Sequence, residues 1–164
     1  MIATGSAEKV AAKYTKLFLE NNDKVDNQKK DANRWGEGGV KYTEATILVN
    51  EDYVTVAATI VADKAIENPN IGFSIKDATG TDILGTNSYI KKKSIKCIEA
   101  NKAITIKWIT PNIFQDGVHS LSLAIVGEDG QILDWWEDCK EFKILKEEIT
   151  PYKVNPSMVL EIRP

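Results

Sequence analysis

Between Gly117 and Leu145 the chain alternates in a way that leaves few folds open to it. Residues 117–126 read Gly-Val-His-Ser-Leu-Ser-Leu-Ala-Ile-Val, so Leu121, Leu123 and Ile125 share one side and Ser120, Ser122 and Ala124 the other. A period of two belongs to a strand with one buried and one open face. Gly127-Glu-Asp-Gly130 then supplies turn-forming residues, and Gln131-Ile-Leu-Asp-Trp-Trp136 runs back as the second arm of a hairpin. A third strand is expected at Phe142-Lys-Ile144 after a short break. The open side of the first strand carries small polar groups instead of long charges, which leaves its hydroxyls and backbone accessible.

The same period recurs upstream. Strands are expected over residues 40–49, 53–62, 70–77, 82–87 and 102–109, separated by Gly, Asn and Asp turns such as Asp77-Ala-Thr-Gly80. Val54, Val56, Ala58 and Ile60 should face inward, as should Ile71, Phe73 and Ile75, and Ile104, Ile106 and Trp108. Residues 88–101 read as a longer loop containing Lys91-Lys-Lys93. Short strands at regular spacing with such turns predict an all-β, two-sheet antiparallel β-sandwich. Before it, Val10, Tyr14, Leu17 and Phe18 follow Ser6 at helical spacing, which predicts a helix near 6–20 outside the main core. The polar, aperiodic residues 21–33 read as a linker. The domain division is therefore 1–33 as linker helix and tether, 34–145 as the sandwich, and 146–164 as an extended tail or exchanged edge strand, the last because it contains Pro151, Pro156 and Pro164.

Composition narrows the function. The 164 residues suffice for one domain with its own core, and a net charge of -3 argues against general affinity for nucleic acid. No run of about 18 apolar residues is present to span a membrane, and a basic segment followed by an apolar stretch is missing near Met1, so no secretory signal is expected. Cys97 and Cys139 lack metal-type spacing and read as reduced thiols of a cytosolic protein, with a single bridge between them as the alternative. His119 is the sole histidine, so a His-based metal site and any cofactor are not expected.

A set of residues in order carries a resemblance: Trp35-Gly-Glu-Gly-Gly39, Gly72-Phe-Ser-Ile75, Asp77-Ala-Thr-Gly80, Gly85-Thr-Asn87, Gly117-Val-His119, Asp134-Trp135 and Phe142-Lys-Ile144. Over roughly 34–145 the chain resembles the Wzt C-terminal domain, the carbohydrate-binding module attached to the ATPase subunit of O-antigen polysaccharide ABC transporters. The resemblance implies an immunoglobulin-like sandwich at the cytoplasmic face of the inner membrane. It implies recognition of the end of a lipid-linked glycan before export, the transporter's membrane subunit as a partner, and a homodimer, in some members with an exchanged C-terminal strand. The helix at 6–20 is similar to the segment that joins the ATPase domain to this module. Gly36-Glu-Gly-Gly-Val-Lys41 is too short for a phosphate-binding loop and lacks its hydroxyl residue, so this chain should not itself hydrolyse ATP.

The candidate site comes from the residues expected to point outward: Thr55, Ala57 and Thr59; Gly72, Ser74 and Lys76; Thr105 and Lys107; Ser120, Ser122 and Ala124. Together they would line a shallow groove whose hydroxyls bond to a sugar while an aromatic ring stacks on its C–H face. The plain alternative is an ordinary strand surface, since Thr is a good strand former. Alternation from Leu133 puts Trp135 in the core and turns Trp136 outward, either as a stacking platform or as a ring packed under the tail or in a dimer contact. The carbohydrate-binding set is then Ser74, Lys76, Lys107, Ser120, Ser122 and Trp136. Trp35 and Tyr89 read as loop anchors, and His119 as a partly buried residue with one hydrogen bond. Lys91–Lys93 and Lys96 form a solvated loop or touch an anionic sugar or lipid head group. Asp116, Asp134, Glu137 and Asp138 do not make the paired carboxylates a glycosidase needs. The competing reading is a dimerisation or assembly module that touches no glycan.

Overall fold

The computed structural model describes residues 33–164. The helix expected near 6–20 and nearly all of the linker lie outside the described residues. Ten strands follow: β1 (Arg34–Trp35), β2 (Val40–Val49), β3 (Tyr53–Ala62), β4 (Ile66–Glu67), β5 (Asn70–Lys76), β6 (Asp82–Asn87), β7 (Cys97–Ile98), β8 (Ala103–Pro111), β9 (Gly117–Val126) and β10 (Ile132–Ile144). All strand pairings between them are antiparallel. One sheet has the order β1-β10-β9-β5-β6, a second the order β2-β3-β8, and β4 pairs with β7 as a separate ribbon. The architecture is an immunoglobulin-like two-sheet sandwich.

The expected inward residues build the core. Val54, Val56, Ala58 and Ile60 of β3 meet Ile71, Phe73 and Ile75 of β5 and Leu121, Leu123 and Ile125 of β9 in one buried cluster. Each of these side chains except Ala58 contributes about 1.5–3 kcal/mol of burial. Ile104, Ile106 and Trp108 are only half-buried, because β8 is the free edge of its sheet. Trp108 still reaches Phe73, with ring centroids 5.3 Å apart. Tyr42 of β2 is fully buried and donates its hydroxyl across the sandwich to the Ala124 carbonyl on β9 at 3.0 Å. Burial pushes its pKa up.

Local chemistry sets the turns. The Asn50 side chain accepts from the amides of Asp52 and Tyr53 and closes the β2–β3 hairpin. Asp77 accepts from Thr79 and Thr81 amides, and Gly80 takes a φ of 81° in the β5–β6 turn.

Several features differ from expectation, beginning with β1 and β4, where no strand is expected. The strand expected separately at 142–144 is the end of β10, which runs unbroken from Ile132 through two register shifts. The long loop at 88–101 contains β7. Residues 146–155 do not leave the sandwich as a tail. Val154 bridges Phe114, the Asn155 amide donates to the Ile113 carbonyl at 2.6 Å, and Lys146 Nζ donates to the carbonyls of Asn112 and Asn155. Beyond Pro156 the apolar side chains of Met158, Val159, Leu160 and Ile162 stand 74–87% exposed.

Candidate functional site

Strand register assembles one row of outward side chains across all five strands of the larger sheet. Asn87 lies opposite Gly72, Gly72 opposite Ala124, Ala124 opposite Trp135, and Trp135 opposite Trp35. Neighbouring strands are about 4.8 Å apart, so two adjacent positions without bulk make a trough. Its floor is Gly72 and Ala124, and its volume is about 190 Å³. Gly72 is required independently of any ligand, since a Cβ there would sit 2.9 Å from the Thr86 carbonyl oxygen. On one side stands the Trp135 indole, with Trp35 stacked against it at 5.6 Å between centroids and 16° between planes. Trp135 Nε1–H is buried and has no hydrogen-bond partner among the described residues. Such an orphan donor is uncommon. Trp35 is 48% exposed and offers its outer face to solvent.

The next rows run parallel to this one. Gly85, Ser74 and Ser122 form the second, and Asp82, Lys76 and Ser120 the third. Between Trp136 and Lys140 the register of β10 slips, so that Glu137, Asp138 and Cys139 bulge opposite β9. Asp138 sits at φ 48°, a conformation Asp tolerates better than most residues. Its amide donates to Ser122 Oγ at 3.0 Å, and Ser120 Oγ donates to its carboxylate at 2.8 Å. The bulge thereby turns Glu137 and Asp138 onto Lys76, which is ion-paired to both. The hydrogen bond that Lys76 donates to Glu137 outweighs the opposing effect of burial and, with the Asp138 charge, raises the Lys76 pKa.

Beneath the platform lies a buried ion pair. Asp134 accepts from Arg34 Nε at 2.7 Å, from Arg34 Nη2 at 2.5 Å and from the Tyr42 amide at 2.8 Å. Arg34 also donates to the Tyr42 carbonyl and lies 4.6 Å from the centre of the Trp136 ring. Arg34 and Trp35 are adjacent on β1, so the pair that fixes this two-residue strand also fixes Trp35.

The structure brings Ser74, Lys76, Ser120 and Ser122 together on one face. It corrects three expectations. Lys107 lies on β8, in a row with Ala57 and Thr46 on the other sheet, so the strand residues 55–59 and 105–107 are on the opposite outside of the sandwich. Trp136 is 4% exposed and in the core, while Trp135 occupies the outer face. The cause is a first register slip. Ile132 pairs with Val126 but Asp134 with Ile125, so one extra residue inverts the parity of β10 from there on. Finally, Ser120 and Ser122 each hold the bulge, and Ser122 is buried rather than open. Sequence reasoning missed Trp135, Trp35 and Asn87 as neighbours, because only the register of five strands unites them.

The remaining candidates are structural. His119 is buried, its Nδ1 lies 3.2 Å from the Gly117 carbonyl, and its ring stacks on Phe142, so burial lowers its pKa. Tyr89 anchors its loop by donating to the Asn68 carbonyl at 2.8 Å. Cys97 and Cys139 are free thiols. Among the described residues no helix is long and apolar enough to cross a membrane.

Fold and face define the class: an immunoglobulin-like antiparallel sandwich carrying an aromatic-walled trough on its five-stranded sheet. The family profile of the Wzt C-terminal domain matches residues 31–155. The chain belongs to that family, which is associated with O-antigen ABC transporters. The crystal structure of the C-terminal domain of wzt superposes with a TM-score of 0.70 at 18% identity, covering 79% of this chain and 87% of that one. A beta-glucuronidase from glycoside hydrolase family 2 (17% identity, 58% of this chain and 10% of that one) and Thermotoga neapolitana beta-glucosidase 3B in complex with glucose (10% identity, 66% and 17%) reach TM-scores of only 0.39 and 0.38 and carry no argument. No curated protein sequence matches the chain. The family match ends at Asn155, the last residue seen to bond back onto the sandwich.

Proposed function

We propose that this chain is a non-catalytic carbohydrate-binding module. It recognises a bacterial surface polysaccharide of O-antigen type, near its non-reducing end, for export by an ABC transporter. The observation that carries the reading is the cross-strand row from Asn87 to Trp35, in which a floor of Gly72 and Ala124 abuts an indole wall. A sugar ring offers what this surface lacks: a C–H face for the accessible parts of the Trp135 and Trp35 rings. The trough is shallow and wet, so affinity for a single sugar unit is weak. In a full-length protein the module would be tethered to an ABC-type ATPase and the transporter's membrane subunit at the cytoplasmic face of the inner membrane. Effective concentration then compensates for weak binding.

The test is an NMR titration with the surface polysaccharide purified from the source strain, beside an unrelated polysaccharide. Shifts at the amides of Gly72, Ser74 and Ala124 and at the Trp135 indole, seen only with the cognate glycan, are the expected result. Silence with the cognate glycan refutes the reading.

One observation favours a second role, that of an assembly module. The apolar tail from Met158 to Ile162 is exposed along its length, as a strand exchanged within a homodimer would be when seen in a single copy. Light scattering on the chain with and without residues 157–164 decides it. A dimer that becomes a monomer on truncation supports exchange, and an unchanged mass rules it out.

A further inference from the structure

The trough has an electrostatic character that narrows what it can hold, given the glycan reading above. Among the described residues no ionisable side chain lines it. Asn87, Ser74, Ser122 and Trp135 surround the floor of Gly72 and Ala124. The cation next along β5 is Lys76, two residues beyond Ser74, and its ammonium is held by Glu137 and Asp138. At the other end Glu128, in the β9–β10 turn, accepts from the Asn68 side chain. The borders therefore carry one positive and four negative charges, a net of -3 from Lys76, Asp82, Glu137, Asp138 and Glu128. Lys91, Lys92 and Lys93 follow Asn87 in an exposed loop and do not line the trough. A phosphate or carboxylate entering it would give up water without gaining a cation, and would meet like charge at both ends.

We propose that the sugar unit seated in this trough is uncharged, and that the Glu137–Asp138 bulge enforces this by withholding the Lys76 ammonium from acidic substituents. The bulge is built for such a role. Asp138 holds a left-handed backbone whose amide is secured by Ser122, and Ser120 fixes its carboxylate, so Asp138 cannot swing away from Lys76 without losing those bonds, while Glu137 is hydrogen-bonded to Lys76 itself. Specificity here comes from an arranged repulsion as much as from attraction.

The proposal rests on the glycan reading, and the experiment separates the two. Methyl glycosides of glucose, galactose, mannose, rhamnose and N-acetylglucosamine are titrated in parallel with glucuronate, galacturonate and the 6-phosphates of glucose and mannose. The readout is the Gly72 and Ala124 amides and the Trp135 indole. The expected result is saturable shifts from at least one neutral glycoside and none from any acid. In the Glu137→Gln/Asp138→Asn double variant, whose amides keep the shape of the bulge, the acids begin to shift the same resonances. Their binding gains about threefold to fivefold, the scale of one exposed charge pair, and the gain fades with added salt. An acidic probe that moves the wild-type trough as strongly as its neutral parent overturns this inference and leaves glycan binding standing. Silence from every probe overturns both.

Discussion

Replacing Asp134 with Ala should be among the most damaging polar substitutions in the domain. Its carboxylate, with 6% of the side chain exposed, accepts three hydrogen bonds and ties β10 to both β1 and β2. Alanine would leave the Arg34 guanidinium without its counter-charge and the Tyr42 amide without an acceptor. Breaking one side of a buried ion pair costs about 3–5 kcal/mol, and an orphaned buried N–H about 1–3 kcal/mol. Arg34 keeps 18% exposure and its bond to the Tyr42 carbonyl, so the sum is discounted to about 3–4 kcal/mol. Urea denaturation followed by tryptophan fluorescence measures it, as a lower midpoint at constant slope. Arg34→Ala and the double variant complete a cycle, and the double variant should lose much less than the sum of the singles. As an exposed control, Lys102→Ala, whose pair with Glu99 is open to solvent on both sides, should leave the midpoint unchanged. A loss below about 1 kcal/mol for Asp134→Ala, or strict additivity in the cycle, would show that the pair does not lock β1 and that Trp35 is held by something else.

The two adjacent tryptophans should separate cleanly. Trp136→Ala removes a core ring and costs about 3–5 kcal/mol in the same urea series, whereas Trp135→Ala leaves the midpoint within about 1 kcal/mol and abolishes glycan-induced NMR shifts. Ala124→Ile, a strand-compatible residue that fills the trough, should abolish those shifts with the amide spectrum otherwise intact. Burial holds His119 below the ordinary imidazole value of about 6.5, so the unfolded chain binds its proton more tightly. The stability this contributes is complete above about pH 6.5 and declines as pH falls from there to the folded value, a slope that His119→Phe should flatten in denaturation curves. Burial pushes the Cys139 thiol up to about 12, and the hydrogen bond to Glu67 raises the partly exposed Cys97 as well, so a thiol reagent should label Cys97 slowly in the native protein and Cys139 only on unfolding.

How far the sequence speaks depends on whether a feature is local to a strand or shared between strands. Parity within β3, β5 and β9 is written in alternation alone, and Val54 through Ile60, Ile71 through Ile75 and Leu121 through Ile125 all face as expected. Parity across β10 is not, because the extra residue before Asp134 is visible only as a slip against β9. Nothing in Gln131-Ile-Leu-Asp marks it beforehand. Its reason lies in other strands: Asp134 must reach Arg34 on β1 and the Tyr42 amide on β2, and only the shifted register turns it inward to do so. The same shift carries Trp136 under Arg34 and leaves Trp135 to meet Trp35 outside. Sheet membership was hidden for a similar reason, since Thr55, Lys107 and Ser122 alternate alike whichever sheet they join, and only pairing sends the first two to the far side. A single inserted residue thus decides at once which tryptophan packs the core, which one walls the trough, and where the buried charge pair sits. Deleting Leu133, the unpaired residue of the slip, should therefore leave Asp134 opposite Ile125, Trp135 opposite Ala124 and Trp136 opposite Leu123, so the platform and its charge pair persist. The deletion lowers stability by removing a buried side chain and the carbonyl that accepts from the Gly38 amide, and a variant in which Trp136 becomes solvent-exposed would refute this account of the register.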